Sequence, residues 1–139
     1  MRILSWNVRG LLKKARRGQV REYIFNEKVD IVGLQETVKH DFADHELCEL
    51  AGGANFTWFW LAAKGKSGGI LLGVKVDSLE VENHEVKEFS IGATIRDRLS
   101  NFRWNLLIVY GSAQHDNFSI FLNELNLFCS SSVGTRQLG

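Results

Sequence analysis

The chain has 139 residues, 45% of them hydrophobic and 24% charged, proportions of one packed domain that exclude a wholly disordered segment. No stretch reaches the roughly 20 apolar residues a membrane-spanning helix needs, and the apolar run after Met1 is too short for a signal peptide, so no membrane segment is expected. The net charge of +1 does not mark the whole chain as a nucleic-acid binder, but its distribution is uneven. Residues 1–28 hold eight of the seventeen basic side chains (Arg2, Arg9, Lys13, Lys14, Arg16, Arg17, Arg21 and Lys28), opposed there only by Glu22 and Glu27. Such a cluster can face phosphate or simply be a solvated helix face. Cys48 and Cys129 are far apart and make no disulfide framework; reduced thiols, as in an intracellular protein, are the default.

In chain order, residues 2–6 predict a short buried strand. Residues 12–28 predict a helix, with Leu12, Ala15, Val20, Tyr23 and Ile24 on one side and basic residues over much of the rest. Residues 31–35 are a second apolar strand, too short to prefer helix. Strand, helix, strand reads as a right-handed βαβ unit, whose two strands are parallel and end at the same edge. Residues 44–51 suit a short helix. Strands are expected at 56–61, 69–74, 79–86, 90–96 and 103–110, with Gly68-Gly69 punctuating the start of the second. The last two alternate (Ile91, Ala93, Ile95; Trp104, Leu106, Ile108, Tyr110) and should form an antiparallel hairpin. Residues 118–128 carry an apolar helical stripe with Asp116 as N-cap, and 129–139 read as an irregular tail.

Three polar residues stand at or near the ends of apolar strands: Asn7, Glu36 and Tyr110. A carboxylate there can hold magnesium, an amide beside it can orient the carboxylate or a water, and a phenol can donate to a phosphate oxygen. Strands also commonly end in polar residues with no such role, and the residues alone leave both readings open. His40, Asp41, Asp44 and His45 are metal-ligand types, but the histidines are five apart, a poor spacing for one helix face, and a solvated loop is expected. Phe56, Trp58, Phe59 and Trp60 could stack on bases, although alternating aromatics on a strand usually belong to a core.

The segment Ser5-Trp6-Asn7-Val8-Arg9-Gly10-Leu11 resembles the opening signature of the endonuclease/exonuclease/phosphatase superfamily. Asp30-Ile31-Val32-Gly33-Leu34-Gln35-Glu36-Thr37 is similar to its second. Lys66-Ser67-Gly68-Gly69-Ile70-Leu71-Leu72 and Arg103-Trp104-Asn105-Leu106-Leu107-Ile108-Val109-Tyr110-Gly111 follow in the order the superfamily has them. With Asn-Val-Arg-Gly in the first block, the last two resemble the endonuclease domains of plant LINE-type (non-LTR) retrotransposons in particular. The resemblance implies an α/β (α+β) chain forming part of a four-layer sandwich, with mixed sheets and flanking helices. Residues 1–128 would be the N-terminal part of the domain and its second half would be missing. It implies a divalent-metal-dependent phosphodiester hydrolase of the DNA endonuclease type. Glu36 would ligate Mg2+ (or Mn2+), Asn7 would help organise metal and phosphate, and Tyr110 would contact the scissile phosphate or leaving group. Arg9, Lys13, Lys14, Arg16 and Arg17 would face DNA, and action in the nucleus is what a retroelement enzyme would imply.

The sequence departs from the superfamily pattern in two ways. Arg9 stands where many repair-type relatives have an acidic residue, and an arginine there suits phosphate rather than metal. The superfamily's later Gly-Asp-Phe-Asn and Ser-Asp-His segments do not occur in these 139 residues. Because a missing water-orienting or base residue costs orders of magnitude in rate, little or no activity is expected of this polypeptide. A non-catalytic retroelement remnant with weak nucleic-acid binding is the alternative, as is a phosphatase or phosphodiesterase of the same superfamily. A missing second half would also leave one sheet face uncovered and prone to self-association.

Overall fold

The structure, a computed structural model, describes residues 1–109, so Tyr110, the expected 118–128 helix and the expected tail lie outside the described residues. Nine elements follow one another: β1 (Ile3–Asn7), α1 (Lys14–Glu27), β2 (Ile31–Gln35), α2 (Asp44–Ala51), β3 (Phe56–Leu61), β4 (Ile70–Lys75), β5 (Leu79–Val86), β6 (Ser90–Asp97) and β7 (Arg103–Val109). They build a four-stranded sheet in the order β1-β2-β4-β3 and a three-stranded sheet in the order β5-β6-β7. β1 and β2 are parallel, as a helical crossover requires, with Asn7 opposite Gln35 in register; the other pairings are antiparallel.

Alternation along the strands separates two cores. Val32, Leu34 and Leu71 point to one side of the four-stranded sheet and pack with Val20 and Ile24 of α1, Leu47 and Leu50 of α2, and Phe42. Ile31, Ile70, Leu72 and Val74 point to the other side and meet Ile91, Ala93, Ile95, Trp104, Leu106 and Ile108 of the three-stranded sheet. Each large aliphatic side chain so buried contributes about 1.5–3 kcal/mol by leaving water. The inner face of the four-stranded sheet, expected to lack a partner, is covered by β5–β7. Among the described residues the layers are helices, sheet and sheet, which is the mixed sandwich expected, in part.

The helix α1 begins two residues later than the spacing suggested. Its N-terminus has no side-chain cap; instead the Arg17 guanidinium turns back and Nη1 donates to the carbonyls of Leu11 (2.9 Å) and Leu12 (2.6 Å), which hold the preceding turn. Its buried stripe is also narrower than expected, with Val20 and Ile24 inside but Leu12 (63% exposed), Ala15 and Tyr23 (50% exposed) outside. The loop into α2 is fixed by Glu46, which accepts from the Ala43 N–H (2.8 Å) and from Lys39 Nζ (2.9 Å). Those two donors, the backbone N–H first, hold the Glu46 carboxyl below the usual glutamate range.

Candidate active site at the shared edge of β1 and β2

Because β1 and β2 are parallel and in register, their C-terminal ends deliver Asn7 and Glu36 to one place. Asn7 Nδ2 donates to Glu36 Oε2 at 2.6 Å, a charge-assisted hydrogen bond between residues 29 apart in sequence. Beyond the strands the chain stays zipped: Val8 N–H donates to Gln35 O (3.0 Å), Gly10 N–H to Glu36 O (2.7 Å) and Leu11 N–H to Thr37 O (2.9 Å). The start of β4 closes the other side, with Thr37 N–H donating to Gly69 O (3.3 Å) and Val38 N–H to Gly68 O (2.9 Å). Three of the four sequence blocks thus converge on one edge.

The backbone there is unusual. Arg9, Glu36 and the β-branched Val38 all have positive φ (54°, 55° and 60°), conformations that non-glycine residues rarely hold. Gly69, at φ +95°, lies so close to Thr37 Oγ1 that a Cβ would overlap it, so a glycine is needed for this approach. Two of the three buried polar atoms without a partner among the described residues lie at this edge. Asn7 Oδ1, Gln35 Oε1 and Trp104 Nε1 have no partner among the described residues, and the first two belong to register partners at the end of the parallel pair. An unsatisfied buried acceptor costs about 1–3 kcal/mol, so two together mark a place where the fold tolerates that loss.

The donor set fits a hard divalent cation. One carboxylate with an amide oxygen beside it is the kind of partial oxygen shell that Mg2+ or Mn2+ completes with water and phosphate oxygens. A zinc-type site finds no support: no group of three or more His, Cys, Asp or Glu side chains comes together among the described residues, and His40 and His45 are exposed.

The other expected site residues divide. Arg9, Lys13 and Lys14 are exposed on the turn and helix start that follow Asn7. Arg16 lies over the Trp6 ring (5.5 Å to its centroid), and Arg17 is engaged with the two carbonyls described above, so both also have structural work. Phe56 is buried in the helix-side core and Trp58, Phe59 and Trp60 are half-buried against the cores, which leaves this row packed rather than presented as a stacking platform. Tyr110 lies outside the described residues, but the strand leading to it reaches this edge: Gln35 Nε2 donates to the carbonyl of Val109, the last residue of β7, at 2.6 Å. Sequence reasoning gave Gln35 no role, since nothing in the sequence announces a backbone partner 74 residues away.

This architecture is a two-sheet sandwich with helices on one side. The chain belongs to the Endonuclease/Exonuclease/phosphatase family, whose model matches residues 4–127. Among solved structures it is similar to the human Nocturnin catalytic domain with bound sulfate anion (TM-score 0.62, 15% identity, 92% of this chain and 55% of that one). It is also similar to D. rerio TDP2 complexed with single-strand DNA product (TM-score 0.55, 18% identity, 90% and 52%). A third is the Neisseria 3′ phosphatase NExo bound to a product DNA hairpin (TM-score 0.53, 20% identity, 94% and 52%). At these identities the likeness establishes the fold. The chain spans about half the length of these structures. Comparison with curated proteins finds no match. No helix among the described residues is long and apolar enough to cross a membrane.

Proposed function

We propose that the chain carries the metal-binding half of a divalent-metal-dependent phosphodiester hydrolase that acts on DNA, of the endonuclease type found in plant LINE retrotransposons. The observation that carries this reading is the Asn7–Glu36 pair at the shared strand edge, with the Asn7 acceptor buried and without a partner among the described residues. Glu36 and Asn7 would hold Mg2+ or Mn2+, which when bound neutralises charge on a phosphodiester. Asn7 orients the carboxylate through its amide N–H. Tyr110 would donate to a phosphate oxygen or the leaving group. Arg9, Lys13 and Lys14, exposed beyond Asn7, would follow the phosphate backbone with Arg16 and Arg17 behind them. DNA in two of the similar structures, together with this basic cluster, favours a nucleic-acid substrate over a small phosphate ester. The nucleus is the compartment in which such an enzyme would act. Any self-association would run through a strand edge or through the outer face of the three-stranded sheet.

The Gly-Asp-Phe-Asn and Ser-Asp-His segments do not occur in this sequence. For the 139-residue polypeptide by itself the reading is therefore metal and DNA binding, with hydrolysis slowed by orders of magnitude. The test is incubation of the purified protein with supercoiled plasmid and Mg2+, beside Glu36→Ala. Nicked circles from the wild type alone support a working hydrolase. Absence of nicking, with Mg2+-dependent DNA retention lost in Glu36→Ala, supports the binding reading. Retention identical in both proteins, without nicking, would sink both.

A further inference from the structure

Gln35 is the last residue of β2 and is 1% exposed, yet its side chain is polar, and its acceptor Oε1 has no partner among the described residues. An apolar side chain in this position would leave no acceptor unsatisfied. What the amide does is donate. The carbonyl of Val109 can only accept, so the group facing it at 2.6 Å must be the Gln35 NH2. This bond joins the two sheets. Gln35 belongs to the four-stranded sheet and Val109 to β7, which in the order β5-β6-β7 has a strand neighbour on one side only.

Gln35 is the last residue of its strand and Val109 the last described residue of β7. Glu36 follows the first and Tyr110 follows the second. One side-chain hydrogen bond therefore ties the two sheets together at the edge that holds Asn7. We propose that Gln35 is a positioning residue: its amide ties β7 to the end of β2, so that Val109 is held at the Asn7–Glu36 edge. The role rests on the metal-site reading above for its purpose, while the tie itself stands on the hydrogen bond. It predicts that length and shape at position 35 are insufficient and that an N–H donor is required. Methionine matches glutamine in length and suits a buried setting but has no donor.

The experiment compares wild type with Gln35→Met in the full chain, with Gln35→Leu as a second donorless variant. Urea unfolding first establishes that the variant folds with a midpoint near wild type. Amide hydrogen exchange then reports the tie. Residues 106–109 should exchange at least tenfold faster in Gln35→Met while residues 31–34 stay unchanged. Equal protection at 106–109, or a uniform change across the chain, overturns the proposal. Mn2+ titration followed by amide NMR reports the positioning, which a packing role would not move. In the wild type Mn2+ should broaden the signals of Asn7, Glu36 and Val109; in Gln35→Met the Val109 broadening should fall severalfold while that of Asn7 persists. Undiminished Val109 broadening in the variant overturns the positioning role. If Mn2+ broadens nothing at this edge of the wild type, the metal reading fails, and the exchange measurement still decides the tie.

Discussion

Strand β2 has a carboxylate just before it and another just after it, and the two are used in opposite ways. Asp30 is a latch. Its Oδ2 accepts from the Arg2 N–H (3.0 Å), its Oδ1 from the Ser78 hydroxyl (2.9 Å), and its carbonyl from the Lys75 N–H (2.8 Å), so one residue gathers β1, β4 and the β5 approach. Glu36 sits on left-handed backbone and is held by an amide whose own oxygen is buried without a partner among the described residues. Neutral donors on both oxygens make a carboxylate a piece of structure. Strained backbone and an unsatisfied acceptor beside a carboxylate make it a place for a ligand.

Substitutions can break that contrast. The largest effect expected is on chemistry: Glu36→Ala should lower any Mg2+-dependent nicking by at least about a hundredfold, about 2.7 kcal/mol, while Asp30→Ala leaves the nicking rate near wild type. Equal losses in the two variants would erase the distinction. Next comes Gly69→Ala, which combines a positive φ with overlap on the buried Thr37 hydroxyl and should destabilise by about 2 kcal/mol in urea unfolding. Asp30→Ala should cost about 1–2 kcal/mol by loss of two hydrogen bonds. An unchanged urea midpoint in Asp30→Ala would show that Asp30 is not a latch.

The smallest effect concerns pH. The lowered folded-state value of Glu46 comes from its hydrogen bonds to the Ala43 N–H and Lys39, so the ionised form favours folding. That contribution is present above the ordinary glutamate value of about 4.3 and is lost as pH falls through the lowered one. Glu46→Gln should therefore be less stable than wild type at pH 7, with the gap closing in acid. A gap that stayed constant from pH 7 to below pH 4 would show that the carboxylate charge is not what counts.

Much of this fold was legible from residue patterns. Apolar runs bounded by turn residues gave β2, β3 and β5 their limits, and the long crossover required β1 and β2 to be parallel, which in turn put Asn7 beside Glu36. The extent of α1 was less legible. Its start depends on Arg17 folding back onto two carbonyls, and Leu12 and Tyr23 sit at apolar spacing yet remain exposed, because only Val20 and Ile24 of the helix are buried. The face expected to lack a partner is covered because β5–β7, read as separate strands, form a sheet that packs against it. Gln35 was hidden for a plainer reason: its partner is a main-chain carbonyl, which carries no residue identity to read. Tyr110 was a candidate from its strand position and stays a proposal, since it lies outside the described residues.

The most direct test of the central claim is Mn2+ binding to the purified chain, measured by the loss of the free-ion paramagnetic resonance signal in wild type, Glu36→Ala and Asp30→Ala. The account predicts one bound ion in wild type and in Asp30→Ala, with affinity at least about tenfold weaker in Glu36→Ala. Equal binding in Glu36→Ala and wild type, or loss in Asp30→Ala alone, would contradict the assignment of the metal to the Asn7–Glu36 edge.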